Sequence, residues 1–199
     1  MTSHTAAIVC IACALLATSA ASSQDEDIIE EGKELIYRFY GRYNTTKQVD
    51  VVFVLDRSGS VTQKGWISML NFVRDLLEHF TVDKDNTRVA IVTFSTTTSI
   101  DVNDLQPGFY SDRENKCTLN RRINNYIERK KPYGYTATYS ALGRAHEVLL
   151  NSRPNAKKAV FVLTDGHSNI GPPPVKAAFD ILSLKWNETW DEARLGPQV

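Results

Sequence analysis

Asp50-Val51-Val52-Phe53-Val54-Leu55-Asp56-Arg57-Ser58-Gly59-Ser60 decides the fold of this chain. An unbroken apolar run of this length is too short to cross a membrane. It is also too continuous for a half-exposed strand, so it reads as a central strand of a parallel sheet covered on both faces. Polar chemistry begins abruptly at Asp56. In open α/β sheets ligands collect at the carboxyl ends of strands, which puts Asp56, Ser58 and Ser60 on the loop where such a site belongs. One carboxylate and two hydroxyls on one short turn are hard oxygen donors suited to Mg²⁺. The same residues also suit a plain Ser/Gly turn, with Asp56 accepting from backbone amides ahead of a helix.

Working outward, Trp66, Met69, Leu70, Val73, Leu76, Leu77 and Phe80 recur at helical spacing and predict a helix covering the sheet. Arg88 to Phe94 is β-rich, and the short gap before Ser99 to Val102 makes that second run an antiparallel edge strand. Leu119, Ile123, Tyr126 and Ile127 suggest a short helix ended by Lys130-Lys131-Pro132. The turn Tyr133 to Thr138 leads into a helix with Ala141, Leu142, Ala145, Val148 and Leu149 on one face. Taken alone, Thr138 is its cap and Thr136 a bystander. Lys158 to Gly166 then repeats the opening design, a buried strand ending on the carboxylate of Asp165. Val175, Ala178, Phe179, Leu182 and Trp186 predict one more helix.

Lysine plus arginine equals aspartate plus glutamate, 23 against 23, so nothing in the balance points to nucleic acid or an anionic membrane. Arg121, Arg122, Arg129, Lys130 and Lys131 form a basic cluster that reads as a solvated face. Ala6 to Leu16 is an apolar core too short to span a bilayer and is followed by small residues. Residues 1–23 therefore read as a secretory signal, cleaved after Ala21 or Ser23, though no lysine or arginine precedes the core. No later segment is apolar enough to span. Residues 24–48 carry a predicted leader helix and linker. Cys10 and Cys13 fall in the signal, leaving Cys117 single in a compartment that favours disulfides. Asn44 and Asn187 stand in glycosylation sequons.

Three separated loops thus each deliver oxygen donors: Asp56-Arg57-Ser58-Gly59-Ser60, Gly134-Tyr135-Thr136-Ala137-Thr138 and Thr164-Asp165-Gly166. That constellation resembles the von Willebrand factor type A domain and its metal-ion-dependent adhesion site, over roughly residues 49–185. Thr87 to Ser95 and Asn115 to Cys117 look most like the N-terminal type A domain of polydom-like (sushi/EGF/pentraxin) extracellular proteins. The resemblance implies an α/β, doubly wound, mostly parallel Rossmann-like sheet with helices on both faces. It also implies a metal site of Asp56, Ser58, Ser60, Thr136 and Asp165. Ser58 and Ser60 would bind Mg²⁺ directly, with Mn²⁺ or Ca²⁺ as alternatives. Thr136 would approach or leave the ion, and the two acids would act through water. The partner would be an extracellular protein offering an exposed Asp or Glu, with no nucleic acid and no membrane span; the resemblance sets no oligomeric state. Arg57 reads as solvent-facing, or as greeting that incoming acid.

Family members continue with two more strands and a helix, whereas residues 186–199 form an atypical tail. The strand ending at Asp165 is therefore expected to be an open edge. The chain reads as C-terminally truncated, a fragment or isoform, and Cys117 as lacking the later cysteine that would pair with it. The functional expectation is a secreted, non-enzymatic adhesion or matrix-binding module. The alternatives are an incomplete fragment without stable binding, or a serine hydrolase using Ser58 or Ser60 with His79, His146 or His167. The hydrolase reading lacks a Gly-x-Ser-x-Gly elbow.

Overall fold

The computed structural model describes the backbone of residues 7–12 and the chain over 48–105 and 115–184. The expected leader helix, both sequons and the tail after Leu184 lie outside the described residues. Five strands form one sheet: β1 (Ala7–Ala12), β2 (Val49–Asp56), β3 (Thr87–Phe94), β4 (Thr98–Asn103) and β5 (Lys157–Leu163). Their order is β1-β5-β2-β3-β4. All neighbours run parallel except β3 and β4, which pair antiparallel as the short connection requires.

β2 is the middle strand, and every residue in it is buried. Alternate side chains serve opposite faces of the pleat, and both faces are covered. Val51, Phe53 and Leu55 join Trp66, Met69, Leu70, Val73 and Leu77 of α1 (Gln63–Glu78) in one core. Val52 and Val54 join Ala141, Leu142, Ala145 and Leu149 of α3 (Thr138–Leu150) in the other. The stripe predicted for α1 is thus its buried face. Thr62 starts that helix, its hydroxyl accepting from the amide of Gly65 at 3.1 Å. α2 (Lys116–Arg122) runs into a π-helical turn over Ile123–Ile127, closed by the amide of Glu128 on the carbonyl of Ile123 at 2.8 Å. Leu119, Ile123 and Ile127 face the first core, whereas Tyr126 is exposed.

Several expectations change. The outer edge of β5 is not open, because Ala7–Ala12 pairs along it in parallel register from Ala7 opposite Lys158 to Ala12 opposite Leu163. A strand flanked on one side only leaves amides and carbonyls unpaired, and a short apolar run satisfies them whatever else its composition suggests. Thr138 does not cap α3. Ala137 holds the cap position, and the Thr138 hydroxyl is buried without a hydrogen-bond partner. α4 (Val175–Leu182) buries Ala177 and Ile181 and leaves Val175 and Phe179 outside, so its inner face is offset from the predicted stripe. No helix among the described residues is long and apolar enough to cross a membrane.

A buried ion pair locks the opposite end of the sheet. Asp50 is fully buried and accepts from Nε and Nη2 of Arg153 at 2.9 and 2.6 Å and from its amide at 3.0 Å. The same guanidinium also donates to the carbonyls of Val49 and Asn86, both at 2.9 Å. Burial nevertheless pushes the Asp50 carboxyl above its ordinary value, with Arg153 and Lys158 pulling the other way.

Candidate metal centre

The strand order reverses at β2: the chain leaves toward β3 and returns on the other side as β5. The carboxyl ends of β2 and β5 are therefore adjacent, with Leu55 opposite Leu163, and a crevice opens where the connections diverge. Asp56 ends β2 there, and Thr164 and Asp165 follow β5.

Four of the five predicted side chains form one hydrogen-bonded cluster. Ser58 Oγ and Ser60 Oγ are 3.0 Å apart, and Ser60 Oγ donates to Asp165 Oδ1 at 3.0 Å. Asp56 Oδ1 accepts the amide of Ser58 at 2.8 Å, and Asp56 Oδ2 accepts the hydroxyl of Thr164 at 2.6 Å. With both oxygens so engaged, Asp56 is fixed rather than free to swing. Burial raises its pKa, and the neighbouring charge of Asp165 adds to the rise. A buried carboxylate and a second one nearby, beside two hydroxyls, make a set of hard oxygen donors suited to a divalent cation.

Thr136 arrives on the adjoining loop without a side-chain bond to the other four. It is buried, its amide donates to Asn169 Oδ1 at 2.8 Å, and its carbonyl accepts the amide of Asn169 and the hydroxyl of Ser168. This loop lies against the first one, the amide of Gly59 donating to the carbonyl of Gly134 at 2.9 Å and that of Tyr133 to the carbonyl of Arg57 at 2.8 Å. The approach requires glycine at position 134, where φ is +81° and a Cβ would fall 2.4 Å from Thr96 Oγ1.

Arg57 is not solvent-facing. It is 7% exposed, its guanidinium lies 4.6 Å from the centre of the Tyr133 ring, and its Nε has no partner. Stacking on an aromatic face recovers part of what burial takes from the cation, a contact with a residue 76 positions away that local pattern cannot show. The cation lowers the Tyr133 pKa. Sequence pattern marks neither Ser168 nor Asn169, which meet the backbone of Thr136. Thr164 was visible as the first residue of Thr-Asp-Gly, but its bond to Asp56 depends on strand adjacency.

No histidine is hydrogen-bonded to Ser58 or Ser60 among the described residues; Ser60 turns to Asp165 instead, while His167 is exposed. Of the basic cluster, Arg122 pairs with Asp104 at 2.9 Å and Lys130 with Asp101 at 2.5 Å. Cys117 is exposed and unpaired among the described residues.

The sequence profile of the von Willebrand factor type A domain matches residues 50–183. The chain belongs to the von Willebrand factor type A family. It is 34% identical over 168 residues to the mouse sushi, von Willebrand factor type A, EGF and pentraxin domain-containing protein 1. The alignment covers 82% of this chain and 5% of that protein, so the chain spans about a twentieth of its relative. Thrombospondin-related anonymous protein of Plasmodium berghei is 28% identical, over 72% of this chain and 23% of its own length. Among solved structures, manganese-loaded TRAP of Plasmodium vivax shares the fold with a TM-score of 0.59 at 23% identity, covering 68% of this chain and 53% of that one. Mussel byssus proximal thread matrix protein 1, solved with a zinc-occupied MIDAS motif, has a TM-score of 0.54 at 21% identity, covering 68% and 35%. The Rossmann-like α/β type A fold is therefore the fold of this chain.

Proposed function

We propose that this domain is a secreted adhesion or matrix-binding module. It captures an acidic side chain of an extracellular partner through a divalent cation held by Asp56, Ser58, Ser60, Thr136 and Asp165. The observation that carries this reading is the cluster at the topological switch point, where a buried carboxylate raised in pKa and a second one nearby flank two hydroxyls. Ser58 and Ser60 would hold the ion directly and the two carboxylates through water, with Thr136 on the adjoining loop. Bound metal supplies an electrophilic centre for a partner's carboxylate. Mg²⁺ is the proposed ion; relatives of this fold solved with manganese and zinc support a divalent site.

Charge permits an acidic ligand. Asp56 and Asp165 together balance the charge of a divalent ion, so a loaded site carries no net negative charge to repel an acid. An incoming Asp or Glu would supply a hard oxygen donor to that ion. Among the described residues Ser58 and Ser60 bond to each other and to Asp165 rather than to a histidine, which gives the hydrolase reading no support, and we read the module as non-enzymatic. Secretion through removal of residues 1–23, which would take β1 with it and leave the β5 edge open, and glycans at Asn44 and Asn187 belong to the same proposal. A relative named for its sushi, EGF and pentraxin domains, and another that is a collagen chain, support that setting.

Magnesium titration calorimetry with thermal melts of the full chain tests the site. A ligand binding only the native state raises stability by about 2.7 kcal/mol at a hundredfold excess over Kd. Asp56→Ala and Asp165→Ala should abolish the shift, and Ser58→Ala or Ser60→Ala should weaken it. His167→Ala should leave it unchanged. No magnesium binding by the folded chain, or equal binding by Asp56→Ala, would sink the assignment.

A further inference from the structure

Between α3, α4 and the end of β5 lies a cavity of about 370 Å³. Its apolar walls include Leu142 and Val162, and from α4 Val175, Ala178, Phe179 and Leu182. The space follows from sequence: α4 turns Ala177 and Ile181 onto the sheet, while the small Ala178 beside them fills little of the gap to α3. Phe179 is 63% exposed and Val175 60%, so two large apolar residues stand in water at its rim. Exposed apolar area forfeits about 25 cal/mol per Å², a cost that a bound apolar group would recover.

The last wall is the loop that carries the site. Thr164, Gly166, His167 and Ser168 line the cavity, while Asp165 between them accepts from Ser60. Thr164 also donates to Asp56, and Ser168 to the carbonyl of Thr136. The cavity and the candidate metal centre therefore share one wall. A cation alone distinguishes poorly among exposed carboxylates, since each presents the same group. An adjoining apolar pocket adds the discrimination.

We infer that this cavity takes an apolar side chain, of the phenylalanine or leucine class, from the same acidic segment whose carboxylate meets the metal. The inference rests on the proposed metal-dependent capture. The shared wall favours such a segment over a free small molecule, because an acid seated on the metal leaves its chain neighbours at the loop 164–168.

The test uses the full chain and labelled glycine-serine peptides holding one aspartate, either unadorned or with phenylalanine placed in turn at each nearby position. Fluorescence anisotropy is read in millimolar Mg²⁺ and again after chelation, with calorimetry of Mg²⁺ alone alongside. At least one phenylalanine peptide should bind about tenfold tighter than the unadorned one, and chelation should abolish binding of both. Phe179→Ser at the rim, and Ala178→Leu within the cavity, should each remove the preference while leaving magnesium binding unchanged; thermal melts confirm that both fold. Equal affinity for all peptides, or a preference that survives both variants, overturns the inference and leaves the metal reading standing. Binding of the phenylalanine peptides without magnesium overturns it too, since the pocket would then act alone. Magnesium binding with no peptide bound removes both the inference and the ligand-capture reading. Failure of magnesium itself to bind removes the metal centre on which both rest.

Discussion

Replacing Arg153 by methionine leaves Asp50 fully buried with only the bond from the backbone amide of residue 153 and the more distant charge of Lys158. The guanidinium makes two bonds to Asp50 Oδ1 and also serves the carbonyls of Val49 and Asn86, both of which would lose this bond, although Asn86 keeps the amide of Val49 at 3.1 Å. Breaking a buried pair from one side costs about 3–5 kcal/mol, because an uncompensated charge stays behind. At roughly 2–4 °C per kcal/mol for a chain of this size, the midpoint of thermal unfolding should fall by about 10 °C. The loss should depend on pH. Asp50 is already raised by burial, and without Arg153 it rises further. A carboxyl raised in the folded state contributes stability that is complete below its unfolded value and lost as pH climbs through the folded one. The deficit of Arg153→Met should therefore be smallest below about pH 4 and grow toward neutrality. Asp50→Asn added to Arg153→Met removes the stranded charge but keeps an acceptor for the amide of residue 153, so the double variant should recover about half of the loss. Urea unfolding followed by circular dichroism at several pH values measures all three chains. A cost under about 1 kcal/mol at neutral pH, a deficit independent of pH, or additive losses in the double variant would refute the reasoning.

Thr164→Val removes the hydroxyl that holds Asp56 Oδ2 but keeps the shape, so magnesium affinity should fall about tenfold with the fold intact; unchanged calorimetry would show that Asp56 is oriented otherwise. Gly134→Ala forces a methyl against Thr96 Oγ1 at positive φ and should cost more than about 1 kcal/mol, displacing the loop of Thr136; a melt equal to the parent's would contradict this. Secreted material should begin at Ser22 or Gln24, as N-terminal sequencing can show, and retention of residues 1–20 would count against the leader. A chain starting at Gln24 lacks β1, so the β5 amides that face it should exchange hydrogen faster than in the full chain; equal protection would mean that the pairing contributes nothing.

Local pattern was enough to place β2, β5 and α1. An unbroken run of five apolar residues, 51–55 or 159–163, with an acid just beyond it can hardly be anything but a covered strand, and a stripe from Trp66 to Leu77 can hardly face water. The donor types at Asp56, Ser58, Ser60 and Asp165 were equally plain, since oxygen chemistry is written in the side chains. Tertiary structure decided what depends on contacts between distant segments. It covered the β5 edge with Ala7–Ala12, laid Arg57 under Tyr133, tied Thr164 to Asp56, and left the Thr138 hydroxyl unpaired where a cap was expected. It also rotated α4 so that Ala177 and Ile181, rather than Val175 and Phe179, met the sheet. Periodicity reports which face of an element is apolar. Which neighbour meets that face, and which buried charge finds a partner, is set by register and strand order across the whole sheet.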